Sequence, residues 1–158
     1  LPLTHLAKNL PLSGRFIEMM PIGYGNIPQS ISNEELKDKI MRYYGNLTED
    51  FRIYGNGPAV YYSIEGFKGN IGFISAIHGK FCNLCNRIRM TSTGDIKPCL
   101  CYEQRWALKP ALRMEHKEKR QESIQKILIE SIKNKPQMHC FEDVKSVSEK
   151  HFMGQIGG

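Results

Sequence analysis

The sequence predicts a mixed fold, between α/β and α+β, in which short strands and hairpins carry a cysteine-rich turn and amphipathic helices cover them. Three observations carry this prediction. Apolar or β-branched runs at residues 15–20, 59–65 and 70–77 have the length of strands and are bounded by glycine or proline. Residues 33–44 and the region beyond Trp106 instead repeat apolar side chains at helical intervals. Between them, Cys82, Cys85, Cys99 and Cys101 have the spacing of a metal-binding turn answered from a hairpin.

In chain order, Pro11-Leu12-Ser13-Gly14 reads as a turn into Arg15-Phe16-Ile17-Glu18-Met19-Met20, a short, largely apolar run that suits a strand buried in a parallel barrel. Pro21 ends it, because proline cannot donate to a ladder. A regular strand puts Arg15 and Met20 on opposite faces, so both reach one ligand only if the strand bends near Met20. Without further context Met20 reads as core filler.

Gly23 to Ser30 is a loop with no phosphate-cradle spacing, and no chemistry is assigned to it. Ser32 and Glu35 form a capping box, and Leu36, Ile40 and the Tyr43-Tyr44 pair define a helix from Asn33 to Tyr44, ended by Gly45. Gly55 to Pro58 is a loop. Ala59 to Glu65 and Asn70 to Ile77 make a hairpin through Gly66-Phe67-Lys68-Gly69. Tyr61 and Tyr62 fit sheet packing better than stacking on a base, and His78 reads as a hydrogen-bonding neighbour of the cysteines rather than a ligand.

From Trp106 onward the pattern is helical. Pro110 suits a first turn; Ile124, Ile127, Leu128 and Ile132 form one stripe; Lys133 and Lys135 lie near an end that Pro136 enforces. Glu115 to Glu122 carries both signs of charge, as a solvated face does. His139 and Cys140 fall in a loop, with Cys140 a lone, partly buried thiol. The tail, His151 to Gly158, ends in paired glycines that cost entropy to order, so it has a fixed role only if it inserts into something.

The cysteines hold the chemistry. Cys82 and Cys85 can grip one metal centre from a tight turn, and Ser92-Thr93-Gly94-Asp95 turns the chain so that Cys99 returns beside them. Arg87 and Arg89 then share a strand face, and two guanidiniums beside thiolates suit an anionic guest; alone, they also read as solvated hairpin charges. Spacing leaves the metal open. With Cys101 as fourth ligand the site is a structural zinc centre. Without it, an iron-sulfur cluster would keep one iron free, and strand alternation turns Cys101 away whenever Cys99 faces the metal.

At 158 residues, with 41% hydrophobic and 24% charged residues, the chain has the composition of a folded domain. A net charge of +6 favours anionic, phosphorylated partners, but the charges are scattered and form no basic stripe for nucleic acid. Five cysteines, an odd number of which three fall in a ligand-like cluster, argue for a reducing compartment over a disulfide framework. No apolar run is long enough to cross a bilayer as a helix.

The wording around the cysteines resembles the C-terminal half of the molybdenum cofactor biosynthesis protein A family, the radical-SAM GTP 3',8-cyclases. Their Phe-Cys-x-x-Cys-Asn-Arg-x-Arg run, Gly turn and Cys-Leu are matched by Phe81 to Arg89, Gly94 and Cys99-Leu100. Arg15-Phe16-Ile17-Glu18-Met19-Met20 is similar to their Arg-Phe-Ile-Glu-x-Met strand, and Ile156-Gly157-Gly158 to their terminus. The resemblance implies that residues 1–22 are the end of an incomplete (βα) radical-SAM barrel and residues 23–158 a hairpin-rich and helical domain that binds an iron-sulfur cluster and GTP.

It further implies a 4Fe-4S cluster on Cys82, Cys85 and Cys99, GTP held by Arg87 and Arg89, S-adenosyl-L-methionine near Arg15 and Met20, and a tail, Gly157-Gly158, that enters the active site. Cys101 departs from the family, which has an apolar residue there. The chain starts at Leu1 and lacks the Cys-x-x-x-Cys-x-x-Cys motif of the SAM-cleaving cluster. The expectation is a fragment, inactive alone, that works with the N-terminal radical-SAM half of the same protein. The resemblance allows a homodimer, calls for neither nucleic acid nor membrane, and places the whole protein in a bacterial cytoplasm or, in a eukaryote, the mitochondrial matrix. The rivals are a zinc-binding interaction module, an electron-relay cluster of another radical-SAM maturase, and a nucleic-acid binder.

Overall fold

The computed structural model describes residues 2–25, 30–79 and 81–157. Among the described residues it has the mixed α/β character expected, with two sheets and four α-helices. The chain divides into two compact units, one of residues 1–20 with 28–81 and one of residues 21–27 with 82–158.

The first unit contains α1 (Pro2–Asn9), β1 (Ser13–Ile17), α2 (Asn33–Tyr44), β2 (Leu47–Asp50), β3 (Val60–Ile64) and β4 (Asn70–Ile74). Helix α2 has the bounds its capping signals predict. Ser32 Oγ accepts the Glu35 N–H at 3.2 Å, Glu35 Oε2 accepts the Ser32 N–H at 3.0 Å, and the chain leaves the helix at Gly45. The hairpin of β3 and β4 also forms where expected, with Tyr61 opposite Gly72. The sheet order is β1-β4-β3-β2, with β1 parallel to β4 and the other pairs antiparallel.

Strand alternation sends Ile71 and Phe73 to one face, where they meet Ala7 of α1, Ile40 of α2 and Ile64 in a buried core. Tyr61 and Gly72 share the other face. A Cβ on Gly72 would stand 2.8 Å from the Tyr61 ring, so glycine leaves room for the aromatic side chain. Tyr62 packs edge-on to Phe73 with ring centroids 5.7 Å apart, so both tyrosines are sheet-packing residues.

Two elements of this unit carry no signal in the reading of the sequence. Helix α1 precedes the first strand, and β2 edges the sheet. The first strand also stops earlier than its apolar run. Glu18 still donates its N–H to Ile74 at 3.1 Å, but Met19 and Met20 lie beyond the ladder, and strand alternation therefore sets no relation between Arg15 and Met20.

The second unit contains β5 (Arg89–Met90), β6 (Asp95–Lys97), β7 (Trp106–Ala107), α3 (Lys109–Leu112) and α4 (Lys117–Lys133), with sheet order β5-β6-β7. Gly94, at φ +89, makes the predicted turn, and Arg89 pairs with Lys97 across it. Ile96, Leu100, Leu108, Ala111, Phe141 and Ile156 are buried here.

Four expectations are corrected. Trp106 and Ala107 form a strand, not a helix start, because β6 offers them an open edge. The helical region breaks at Met114, leaving α3 and α4 separate. Ile132 is 53% exposed while Ser131 is buried in its place, its hydroxyl bonded back to Leu128 O at 2.8 Å. Arg87 precedes β5, so the period of two cannot put it on a face with Arg89.

Candidate functional site

Cys82 opens a short 3-10 turn, Cys82–Leu84, which the Cys85 N–H closes on Cys82 O at 3.1 Å. Cys99 follows β6, so the Gly94 turn sets its position. All three thiols are half-buried. Burial is the main cause that pushes the Cys99 thiol up from its ordinary range, and the charges of Cys82 and Cys85 add to it. The charges of Cys82 and Cys85 therefore act on Cys99.

Donors point at two of them. Lys135 Nζ stands 3.4 Å from Cys85 Sγ, and the His139 N–H donates to Cys82 Sγ at 3.4 Å. Lys135 also donates to Arg87 O at 2.6 Å, which ties the segment after α4 to the cysteine turn. Its place directly before Pro136 marked Lys135 only as the end of a helix; nothing in the pattern pointed to the sulfur.

Arg89 belongs to this group. Burial pulls its guanidinium down from its ordinary value, while Cys85 and Cys99 oppose that shift and Arg87 adds to it. Two cations thus lie within electrostatic reach of each other, Arg89 half-buried beside the thiols and Arg87 exposed.

The tail is ordered against the same hairpin. Ile156 is fully buried, the Ser92 N–H donates to Gln155 O at 3.2 Å, and Gly157 packs on Arg89 and Met90. Gly158 lies outside the described residues.

Beneath the hairpin, Lys97 and Glu149 form an ion pair with both side chains removed from solvent. Lys97 also donates to Tyr102 O, and Glu149 accepts the N–H of His151 at 2.8 Å. Burial alone would raise the Glu149 carboxyl; Lys97 and His151 hold it below its usual range. The pair joins the strand before Cys99 to the start of the tail. A lysine between Ile96 and Pro98, in an apolar run, was the only signal.

Cys101, the fourth ligand of the zinc alternative, is fully buried with its Sγ 2.8 Å from Cys140 Sγ. Cys140 is therefore not the lone thiol expected from sequence. Burial is the main cause that pushes Cys101 up to about 12, with the Cys140 thiol adding to it.

In the first unit, Arg15 Nη2 donates to Tyr54 O at 3.1 Å and its guanidinium lies 5.6 Å from the centre of the Tyr61 ring. Met20 is half-buried. Between them in sequence sits Glu18, a buried carboxylate missed by the reading of the sequence although a lone charge inside an apolar run announces it. It accepts N–H groups of Asn33 at 3.2 Å, Ile77 at 2.8 Å and His78 at 3.0 Å, and contacts His78 Nδ1 at 3.0 Å. His78 is thus a partner of this carboxylate.

Among the described residues no group of three or more His, Cys, Asp or Glu is gathered to hold a metal ion. One tetrahedral zinc needs its thiolates at about 2.3 Å from a common point. A polynuclear cluster spreads its thiolates more widely, and neighbouring thiols that receive N–H donors and face cations have the donor chemistry it requires. Among the described residues no helix is long and apolar enough to cross a membrane.

Comparison with known proteins gives one answer. Residues 12–141 match the family described as Molybdenum Cofactor Synthesis C. Over 157 residues, 97% of this chain, it is 41% identical to GTP 3',8-cyclase of Desulforamulus reducens, covering 46% of that protein. It is 40% identical over 158 residues, all of this chain, to GTP 3',8-cyclase of Clostridium perfringens strain SM101, covering 48% of it. With GTP 3',8-cyclase of Syntrophomonas wolfei the identity is 39% over 156 residues, 97% of this chain and 47% of that protein. The chain spans about half the length of the curated relatives it matches.

Proposed function

The chain belongs to the Molybdenum Cofactor Synthesis C family, and from that premise we propose that it is the cluster- and GTP-binding portion of a GTP 3',8-cyclase. The reaction joins the 3′ carbon of the ribose to carbon 8 of guanine, giving (8S)-3',8-cyclo-7,8-dihydroguanosine 5'-triphosphate for molybdenum cofactor biosynthesis. On this reading residues 1–22 end an incomplete (βα) barrel and residues 23–158 form the cluster- and nucleotide-binding domain. An N-terminal radical-SAM half is the partner with which this portion works.

Cys82, Cys85 and Cys99 would hold a 4Fe-4S cluster, which when bound supplies one iron without a protein ligand, as the shared S-adenosyl-L-methionine supplies the oxidising radical. The residues of this chain do the positioning. The N–H of His139 and the ammonium of Lys135 steady the Cys82 and Cys85 sulfurs. Arg89 and Arg87 bind the triphosphate, where paired guanidiniums give charge-assisted contacts. The tail at Gly157 borders the nucleotide, and Arg15 and Met20 contribute to the S-adenosyl-L-methionine side.

Fixing both ends of GTP selects one C–H bond among several on the ribose. The observation that supports this reading is the tail docked on the hairpin, with Gly157 against Arg89 and Met90, while the charges of Cys85 and Cys99 act on the Arg89 guanidinium. The contact of Cys101 Sγ with Cys140 Sγ supports a three-cysteine site over the four-cysteine zinc alternative.

The test is anaerobic reconstitution with iron and sulfide, followed by a GTP titration watched by electron paramagnetic resonance. The expected result is a cluster signal that GTP perturbs and that Cys99→Ala abolishes. A colourless protein with one bound zinc, or a cluster blind to GTP, would overturn the proposal.

A further inference from the structure

Cys101 and Cys140 lie 39 positions apart in sequence, yet their sulfurs stand 2.8 Å apart. A disulfide closes at about 2.05 Å, so an approach of about 0.75 Å separates the two thiols from a covalent bond. A second bond joins the same two residues, and Cys101 is tied to the tail as well. The Cys140 N–H donates to Cys101 Sγ at 3.2 Å, and Cys101 O accepts the Glu149 N–H at 3.3 Å.

The two thiols differ in access. Cys101 is fully buried, whereas Cys140 is half-buried in the loop after α4, its thiol donating to Ser146 O at 3.1 Å. A solute therefore meets Cys140 first, with Cys101 directly behind it. That arrangement has the parts of a redox dithiol, one cysteine less buried than the other and the two sulfurs in contact. Neither thiol has a role in the cluster or nucleotide reading.

We propose that Cys101 and Cys140 form a reversible dithiol that a low-molecular-weight disulfide, such as glutathione disulfide, oxidises to an intramolecular disulfide. Cys140 attacks one sulfur of the oxidant and gives up its proton; the oxidant's S–S bond breaks, one thiol departs, and Cys140 carries the other half as a mixed disulfide. Cys101 then attacks Cys140 Sγ and expels the second thiol. The two protons leave with the departing thiols, and two electrons pass from the protein sulfurs to the oxidant. A dithiol reductant reverses both steps.

The bond would fasten two segments that flank the cysteine triplet. Residue 101 follows Cys99 closely, and Cys140 adjoins His139, whose N–H donates to Cys82 Sγ. Oxidation therefore locks the Cys99 side of the site to the Cys82 side, whatever those thiols hold.

The experiment treats the native protein anaerobically with glutathione disulfide, quenches with acid, alkylates, and maps the linked peptides by mass spectrometry. The expected product is a Cys101–Cys140 link that exceeds any other pairing about tenfold, because folding gives the two sulfurs a high effective concentration. A urea-unfolded control should scatter its links over all five cysteines. Cys101→Ser should stall at a mixed disulfide on Cys140, and dithiothreitol should restore both thiols in the parent protein. If Cys101→Ser fails to fold, the parent map still decides. A native map as scattered as the control, or a glutathione adduct that persists on Cys140 of the parent protein, would overturn the proposal.

Discussion

Gly157 lies against the carbonyl of Met90 so closely that a Cβ on it would stand 2.4 Å from that oxygen and 3.3 Å from Cβ of Arg89. Its φ of +73 is also one that side chains resist. Gly157→Ala should therefore lift the tail from the hairpin at a cost of about 1–3 kcal/mol. Hydrogen exchange at the Ser92 amide, bonded to Gln155 O in the docked state, reads this directly. We expect roughly tenfold or greater acceleration there, and none in helix α2.

The Lys97–Glu149 pair is buried on both sides, so removing one partner strands the other charge. Lys97→Met should lower unfolding stability by about 3–5 kcal/mol, and Lys97→Met with Glu149→Leu should recover much of it. Urea unfolding of the single and double variants measures this. A Lys97→Met loss no larger than that of an exposed lysine would contradict the burial of the pair.

Glu18 supplies an acid limb. Burial pushes its carboxyl up, but the N–H groups of Ile77, His78 and Asn33 and the His78 ring outweigh burial and leave it below its ordinary value of 4.5. A carboxylate with a depressed folded value stabilises fully above its ordinary value and loses that stabilisation as pH falls through the lowered one. Stability should decline below about pH 4.5, with Glu149 contributing in the same sense. Glu18→Gln should flatten part of that decline and destabilise the protein at neutral pH, as pH-dependent urea titrations will read.

Arg89 and Arg87 should separate in their effects. Arg89 is half-buried beside Cys85 and Cys99, whereas Arg87 is exposed. Arg89→Ala in the full-length reconstituted protein should weaken GTP binding by about 1.5–3 kcal/mol, the worth of a charge-assisted contact. Arg87→Ala should cost less. Iron content should be unchanged in both, as calorimetry with parallel iron assays will establish.

How far the sequence carried depends on whether a signal was local. Helix α2 was legible because Ser32, Glu35 and Gly45 specify its ends by bonds within a few residues. The Gly94 turn was legible for the same reason, and it brings Cys99 toward Cys82 and Cys85. Trp106 was misread because its strand exists only through an edge offered by Asp95 and Ile96. The partners Cys101 and Cys140, Lys97 and Glu149, and Lys135 and Cys85 are 39 to 52 positions apart, beyond any periodicity. Glu18 was the exception: an isolated acid in an apolar run was visible, and its acceptor role follows from burial alone.

The central claim is that three thiolates hold a cluster with one iron left for the purine. Electron-nuclear double resonance on the reduced, reconstituted protein with nitrogen-15-labelled GTP tests it most directly. The account predicts a guanine nitrogen coupled to the cluster, lost in Cys99→Ala. A fully protein-ligated cluster with no nitrogen coupling, in protein shown to have GTP bound, would contradict it.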